Sequence, residues 1–542
     1  MKRLLYTIVC LTTAVAMQAQ TVKERIEAVT DKDLYLSGEQ MAIKLYTTDE
    51  NGQSISFSRV AYVELNGDRE NNLRLKVEMN RGQGQAVVKL PYTLATGTYQ
   101  MTAYTRWMRN EGEKVFFNKR IGIFNPIRHN PETDQAILTD LSQDVAPNQL
   151  KNKGYVTAKT DKATYGPRQT VTLDIEGMTP DIQATIAVVR MDGLNTNGQA
   201  EISLPEKTRE AEPCLPEQKG MIVEGIFTPH EDADGTPVKP NLTVQGNQIN
   251  YYAGQTDPQG RVIFNTPILK GMTETVTAVQ QGGHITLASP FVATIPAKLQ
   301  PLTVSTAWQK ALTERSIALQ ATEHYYEPRP TTIKEIEGFL AGTQPHQRYD
   351  LDQYRRFATF EETFMEFMPG VSTKGSKGNR HIVVFDAFND VVSDSKRNTL
   401  VLLDGVAIMD HELILAYNPY LVKYVETYID DFVFGNQLYN GILFLKTPNL
   451  KLSGFDLPRT SVICEYEGIH PQTDMYLPSA TEDMPTHMPD LRHTLYWNPN
   501  VTAKDSRLTF RTSDMRGTYI VKIEGRTKNG EKMIEYASFE VK

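Results

Sequence analysis

The chain has 542 residues, with 57 Lys or Arg against 65 Asp or Glu, and a net charge of −8 at neutral pH. At ~150 residues per domain this length gives three to five domains, enough for several cores. The charges are interspersed with no basic block, which excludes a nucleic-acid partner, and no stretch after the first twenty residues is long and apolar enough for a membrane helix.

The N-terminal segment has three parts. Lys2 and Arg3 are followed by an apolar run, Leu4 to Ala16, broken only by Thr7, Thr12 and Thr13, and then by small residues at Ala16 and Ala19. This pattern predicts a signal peptide over residues 1–19, hence an exported protein of the periplasm or outer membrane. A membrane anchor needs about 20 apolar residues, more than this run supplies. Cys10 sits inside the run with no small-residue pair before it, so lipid attachment is not expected. Loss of Lys2 and Arg3 leaves 55 basic against 65 acidic side chains, or −10. Cys214 and Cys464 remain. An oxidising compartment permits a bridge between them, and two separate buried thiols is the alternative.

Residues 20–126 read as a β-sandwich. Ala42–Tyr46, Val60–Leu65, Leu73–Val77 and Tyr99–Tyr104 mostly alternate, and Asn51-Gly52, Asn66-Gly67 and Thr96-Gly97 punctuate them. Residues 127–150 are polar and predict a linker. Thr30-Asp31-Lys32-Asp33-Leu34-Tyr35 then returns 130 residues later as Thr160-Asp161-Lys162-Ala163-Thr164-Tyr165. A turn (Ser37-Gly38; Gly166-Pro167) and a strand-like run follow each copy, so two related sandwiches are expected. Residues 151–300 predict a second β region. Over 301–330, Trp308, Ala311, Leu312, Leu319 and Thr322 at helical spacing behind Ser305 predict a connecting helix ended by Glu327-Pro328-Arg329-Pro330. The ring-rich His324-Tyr325-Tyr326 is read as packing.

Residues 331–448 predict an α+β unit. Thr359-x-x-Glu362 is a capping box, followed by Phe360, Phe364, Phe367 and Met368 on one helical face. Val383–Asp386, Thr399–Val406, Val422–Tyr428 and Tyr439–Thr447 predict strands. Residues 449–542 return to strands and predict a last, Ig-like sandwich, with Trp497 as its core anchor.

The two Asp-Lys-x-x-Tyr openings resemble those of macroglobulin-type sandwich domains. Protease-trapping members of that family carry a Cys-Gly-Glu-Gln thioester. Here Ser37-Gly38-Glu39-Gln40 lacks the thiol and Cys214-Leu215-Pro216-Glu217-Gln218 has the wrong spacing, so covalent trapping is not expected. Gly225-Ile226-Phe227, Asp234-Gly235-Thr236-Pro237-Val238 and Thr256–Phe264 resemble the carboxypeptidase-regulatory-like sandwich, which implies a passive adaptor. Pro369-Gly370-Val371, Leu400-Val401-Leu402-Leu403-Asp404-Gly405-Val406 and Gly441-Ile442 through Thr447 resemble the plug domain of TonB-dependent outer-membrane receptors. A receptor barrel takes about 22 strands of roughly ten residues. Only 95 residues follow Thr447 (542 − 447), so a plug-like unit without its barrel is expected.

Chemistry-bearing motifs are sparse. Gly370-x-x-x-x-Gly375 lacks the Lys of a phosphate loop, since Ser376 stands there and Lys377 comes one residue late. Gly375-Ser376-Lys377-Gly378 fails the nucleophile-elbow spacing and reads as a mobile basic loop. His230-Glu231-Asp232-Ala233-Asp234-Gly235 lacks a distal Glu for a cation loop. Asp410-His411-Glu412, read on an extended strand, sends its side chains to opposite faces. Asp430-Asp431 lacks two distinct environments for acid and base roles. No catalytic, cofactor or metal site is therefore expected. The fold class is mainly β, tandem sandwiches plus one α+β unit. The function expected is non-catalytic binding or assembly in the envelope, docking to another envelope protein such as an outer-membrane barrel. The alternatives are a thioester-free macroglobulin-like protease inhibitor, with Glu206–Gln218 as the cleavable segment, and a glycan-binding accessory protein using Trp107 or Trp497.

Overall fold

The computed structural model describes residues 22–542 except 68–72, 131–133, 141–149, 195–208, 232–237, 293–298, 326–337, 339, 341, 388–397, 474, 476 and 478–486. The signal-peptide expectation, the Asp234–Pro237 turn and Glu327–Pro330 lie outside the described residues. The architecture is mainly β, as expected: sandwiches and one α+β unit.

The first sandwich has eight strands: β1 (Arg25–Thr30), β2 (Leu34–Leu36), β3 (Gln40–Thr48), β4 (Val60–Asn66), β5 (Leu73–Asn80), β6 (Gln83–Lys89), β7 (Gly97–Thr105) and β8 (Phe117–Phe124). They hydrogen-bond in the order β1-β3-β6-β5-β4-β7-β8-β2. Ile43, Leu45, Val63, Leu75, Val77 and Ile121 fill the centre.

The repeat is a repeat of hydrogen bonds. Tyr35 donates its hydroxyl to the Asp31 carboxylate at 2.7 Å, and Tyr165 does so to Asp161 at 2.7 Å. The same carboxylates accept from the backbone of Ala42 at 3.0 Å and of Thr172 at 2.8 Å. The Thr30 and Thr160 hydroxyls donate to the carbonyls of Lys32 and Lys162. In the turn that follows, Gly38 (φ 96°) is matched by Arg168 (φ 58°), a left-handed conformation that is costly for a residue with a side chain.

The second copy closes with strands from the far end of the chain. Thr157–Thr160, Thr164–Tyr165, Thr170–Glu176 and Ile182–Arg190 supply its first four strands, and Thr494–Val501, Arg507–Arg511, Gly517–Thr527 and Lys532–Val541 the last four. Its two sheets repeat the order of the first sandwich. Ile182–Arg190 is flanked by Gly517–Thr527 on one side and Thr494–Val501 on the other, and Thr164–Tyr165 pairs in parallel with Lys532–Val541 as β2 does with β8. The tail expected as a separate sandwich over 449–542 is therefore the second half of the sandwich that begins near 151. Alternating apolar residues predict each strand, but not which strand lies beside it. Residues 191–493 form an insertion between the fourth and fifth strands. The stretch expected as a linker also contributes a strand, Ala136–Thr139, parallel to Leu302–Ser305.

Within the insertion, Met221–Pro229, Gln255–Thr256, Arg261–Thr266 and Gly283–Leu287 form one sheet of a third sandwich. Asn241–Val244, Tyr251–Ala253, Met272–Ala278 and Ser461–Glu467 form the other. Its core runs into that of the first sandwich. Helix α1 (Gln309–Tyr325) follows, with Ser305 capping the turn before it through the Ala307 amide.

The α+β unit has a five-stranded sheet with Leu400–Leu403 and Ile442–Lys446 in parallel near its centre. Its helix α2 (Phe360–Phe367) starts at the predicted cap: Thr359 accepts from the Glu362 amide, and the Glu362 carboxylate reaches back to the Ala358 amide. Phe360, Phe364 and Met368 bury against one face of the sheet. The other face packs Leu402 and Phe444 towards Ile249 and Tyr251 of the third sandwich, where the Tyr251 and Tyr439 hydroxyls both donate to Gln437. Asp404-Gly405, with φ of 50° and 84°, is a two-residue hairpin turn of the kind that needs positive φ at both positions. The buried Asp404 side chain accepts from Thr447, through both amide and hydroxyl, and from the Leu452 amide, each at 2.7 Å.

Candidate functional site

Two features stand out: a buried charge cluster that sets the frame, and an exposed aromatic face that the frame presents.

The cluster lies where the insertion leaves and re-enters the second sandwich. Arg315 of α1, 2% exposed, makes a two-pronged ion pair with Glu39 (3.0 and 2.6 Å) and approaches Asp192 at 3.6 Å. Asp192 stands at the insertion's start and His493 at its end, 3.4 Å apart. Lys32 reaches Glu39 at 3.1 Å, and the Leu34 carbonyl accepts from Arg315 at 3.2 Å. Burial pushes the Glu39 carboxyl upward, but Arg315 and Lys32 more than offset this and hold it at about 2. Burial likewise lowers His493. The cluster ties the first sandwich, α1 and both ends of a long insertion together. Sequence reading missed it, although Arg315 within an otherwise weakly amphipathic helix was its one local signal.

The Ser37–Gln40 turn belongs to this frame. The Ser37 hydroxyl donates to the Leu94 carbonyl and Glu39 holds Arg315, so this stretch is a structural joint. Cys214 and Cys464 are both free, the first buried and the second half-buried. Burial raises the Cys214 thiol. In a native thiol titration Cys464 is expected to react first and Cys214 only slowly, with both titrating after unfolding. A total of zero without reductant would show a bridge.

The other residues singled out from sequence are dispersed. Asp410, His411 and Glu412 begin a short helix, α3 (His411–Ala416), rather than lying on a strand. Asp410 caps it, and His411 Nδ1 accepts from the Ile382 amide at 3.0 Å. Burial lowers His411 to about 4. Glu412 accepts from the Gly378 and Arg380 amides and pairs with the Arg380 guanidinium. The loop expected to be mobile, Gly375–Gly378, is therefore pinned at its Gly378 end, with Ser376 and Lys377 exposed. Asp430 and Asp431 are exposed, and Asp431 accepts from Asn440. Trp497 is half-buried on an edge strand, and Leu495 and Val501 fill the core there instead. Trp107 is half-buried against Phe57 and donates to the Val22 carbonyl. His324 and Tyr325 are exposed, not packed. Among the described residues no three His, Cys, Asp or Glu side chains converge as a metal site, and no helix is long and apolar enough to cross a membrane. Asp232 to Gly235 lie outside the described residues.

The exposed face belongs to the α+β unit. Tyr354 stacks on Phe367, ring centroids 4.4 Å apart and planes within 2°. Phe357 lies 6.3 Å from Phe367. Arg356, between Tyr354 and Phe357 in the chain, donates to the carbonyls of Pro419 and Val422 and sits 5.9 Å from the Tyr420 ring, which links the Tyr420 segment to the Tyr354–Phe357 segment. Tyr354 is 40% and Tyr420 62% exposed. On the hairpin Phe432–Phe434 and Gln437–Tyr439, the paired Val433 and Leu438 also face solvent. Phe367, expected on one helical face with Phe360, Phe364 and Met368, is thus shared between core and surface.

No protein-family model and no curated protein matches the chain. Among solved structures, a Salmonella α2-macroglobulin mutant aligns with 96% of this chain and 40% of its own length, at 8% identity and a TM-score of 0.24. The native α2-macroglobulin of Escherichia coli gives 96%, 40%, 10% and 0.24. Latent PorU of Porphyromonas gingivalis aligns with 53% of this chain and 34% of its own, at 10% identity and 0.15. The chain spans about two-fifths of the macroglobulins it is similar to. Likeness at this level carries no argument about activity.

Proposed function

We propose that this chain is a non-catalytic binding or assembly protein of the cell envelope, docking another envelope protein through its plug-like α+β unit. The observation that carries this reading is the aromatic cluster of Tyr354, Phe357 and Phe367, with the exposed Tyr420 ring linked to that segment through Arg356, held on a unit whose opposite side is fixed to the third sandwich. Stacked rings offer large contact area with little conformational entropy left to lose, and Tyr and Arg are favoured at interface centres. The N-terminal pattern of residues 1–19 supports export. The test is affinity purification from membranes after crosslinking, comparing the wild type with a Tyr354→Ala/Tyr420→Ala double variant. A partner recovered with the first and lost with the second supports the reading. Recovery of the protein alone in both cases counts against it.

A second reading, a protease-inhibitory role without a thioester, has one specific observation behind it. Of the expected segment Glu206–Gln218, residues 206–208 lie outside the described residues, Cys214 and Glu217 are buried, and Arg209–Pro213 is exposed, charged and without regular structure. It is held to the first sandwich by backbone bonds between Arg209 and Glu113 and between Glu212 and Arg109. Trypsin is expected to cut after Arg209 ahead of any other described site. Resistance there, with cleavage elsewhere, removes this reading.

A further inference from the structure

We infer that His230 and His284 of the third sandwich form a two-imidazole site for a late first-row divalent cation, Cu2+, Ni2+ or Zn2+. Met221–Pro229 and Gly283–Leu287 run antiparallel, with Thr228 opposite His284. The ladder extends one step further through the bond from the His230 amide to the Gly282 carbonyl at 2.9 Å. His230 is thus two residues beyond Thr228 and shares a sheet face with His284, as a diagonal neighbour. His230 Nε2 and His284 Nδ1 face each other at 3.1 Å, with ring centroids 5.3 Å apart.

That separation fits a shared cation. Two nitrogens each about 2.0–2.1 Å from one metal, the usual Zn–N length, stand roughly 3 Å apart at coordination angles near 100°. The backbone ladder fixes where both side chains start, and the two facing nitrogens already lie 3.1 Å apart, so little rearrangement is needed when an ion enters. Without metal the two nitrogens share one hydrogen bond. The tautomer in which neither facing nitrogen is protonated, His230 carrying its proton on Nδ1, leaves both facing lone pairs free for ligation. His230 Nδ1 is buried and has no hydrogen-bond partner among the described residues, so the alternative tautomer breaks no bond there.

Both rings are half-buried, which leaves a side open to solvent. No third His, Cys, Asp or Glu ligand joins them among the described residues. Among the described residues the remaining coordination positions are left to water or to a side chain of a bound partner. Neutral imidazoles favour copper, nickel and zinc, with copper tightest, and have little affinity for magnesium or calcium.

The test is titration of the untagged protein with Cu2+, Zn2+ and Mg2+ by calorimetry, beside His284→Ala, His230→Ala and a control, His129→Ala, at an exposed His distant in sequence. One equivalent of Cu2+ and of Zn2+ is expected to bind, and Mg2+ is not. Either site variant is expected to lose affinity on the order of 10²-fold, as a second tethered ligand supplies by effective concentration, and the control none. Electron paramagnetic resonance of the Cu2+ complex of the unaltered protein, expected to show two imidazole nitrogens, decides the matter if a variant fails to fold. Unchanged affinity in folded His284→Ala, or a Cu2+ spectrum with fewer than two imidazole nitrogens, overturns the assignment.

Discussion

A chain ending at residue 489 is expected to lose its second sandwich altogether. The cut falls after the α+β unit and the third sandwich, so a reading by sequence segments predicts a benign truncation. The pairing predicts the opposite. Removing Thr494–Val541 takes four of eight strands and leaves Ile182–Arg190 without either neighbour. Val171, Leu173, Ile186 and Val188, all essentially buried, lose the opposing Val521, Ile523, Phe510 and Phe539. Each such side chain contributes roughly 1.5–3 kcal/mol when fully buried, and a domain's net stability is only about 5–15 kcal/mol. The unpaired edges left behind are templates for aggregation. The truncated protein is expected to be insoluble or to show residues 157–190 unprotected in hydrogen exchange, with rescue by the co-expressed fragment 490–542. A soluble truncated chain with full protection over Ile182–Arg190 contradicts this.

Replacing Arg315 by Met is expected to have the largest effect of any single substitution. The guanidinium neutralises Glu39 and Asp192, whose side chains are only 11% and 3% exposed. Removing one partner of a buried ion pair costs about 3–5 kcal/mol, because the other charge is left buried and uncompensated. It also unties the neck of the insertion and frees α1, whose buried residues are Arg315 and Ala318. The acid dependence gives a second readout. Glu39 is held at about 2 in the folded protein against an ordinary 4.5, so its stabilising contribution is complete above about 4.5 and is lost as pH falls from there towards 2. In Arg315→Met, Glu39 keeps only Lys32 as a close cation and takes up its proton at higher pH. The acid-unfolding midpoint then moves up as the urea stability at pH 7 falls. A variant within 1 kcal/mol of the wild type, with the same acid midpoint, rules out this role for the cluster.

The local structure was legible because its causes are local. The capping box at Thr359 and Glu362, the Asp404-Gly405 turn and the Tyr35 and Tyr165 motifs each depend on residues within a few positions, and each forms where the sequence places it. The partners of those elements were not legible. Ile182–Arg190 carries the apolar character of any central strand, and nothing in it says that its neighbours are some 300 residues downstream. Trp497 shows the same limit: a large ring suggests a core, but edge-strand placement leaves it half-buried. The charge cluster was hidden for a related reason, since Glu39, Asp192, Arg315 and His493 look like ordinary surface residues until the chain's two distant crossings bring them together. The aromatic face was half-visible: Phe367 was read on one face of its helix, but nothing local placed Tyr354 against it.

The central claim, that this protein works by contact through the aromatic face of its α+β unit, is tested most directly by a photo-crosslinking amino acid at position 420 in living cells. The control places the same group at Lys528, an exposed turn residue of the second sandwich. A discrete adduct with one envelope protein from position 420, and none from 528, is the result predicted. The same adducts from both positions, or none from either while the protein is abundant and folded, would contradict it.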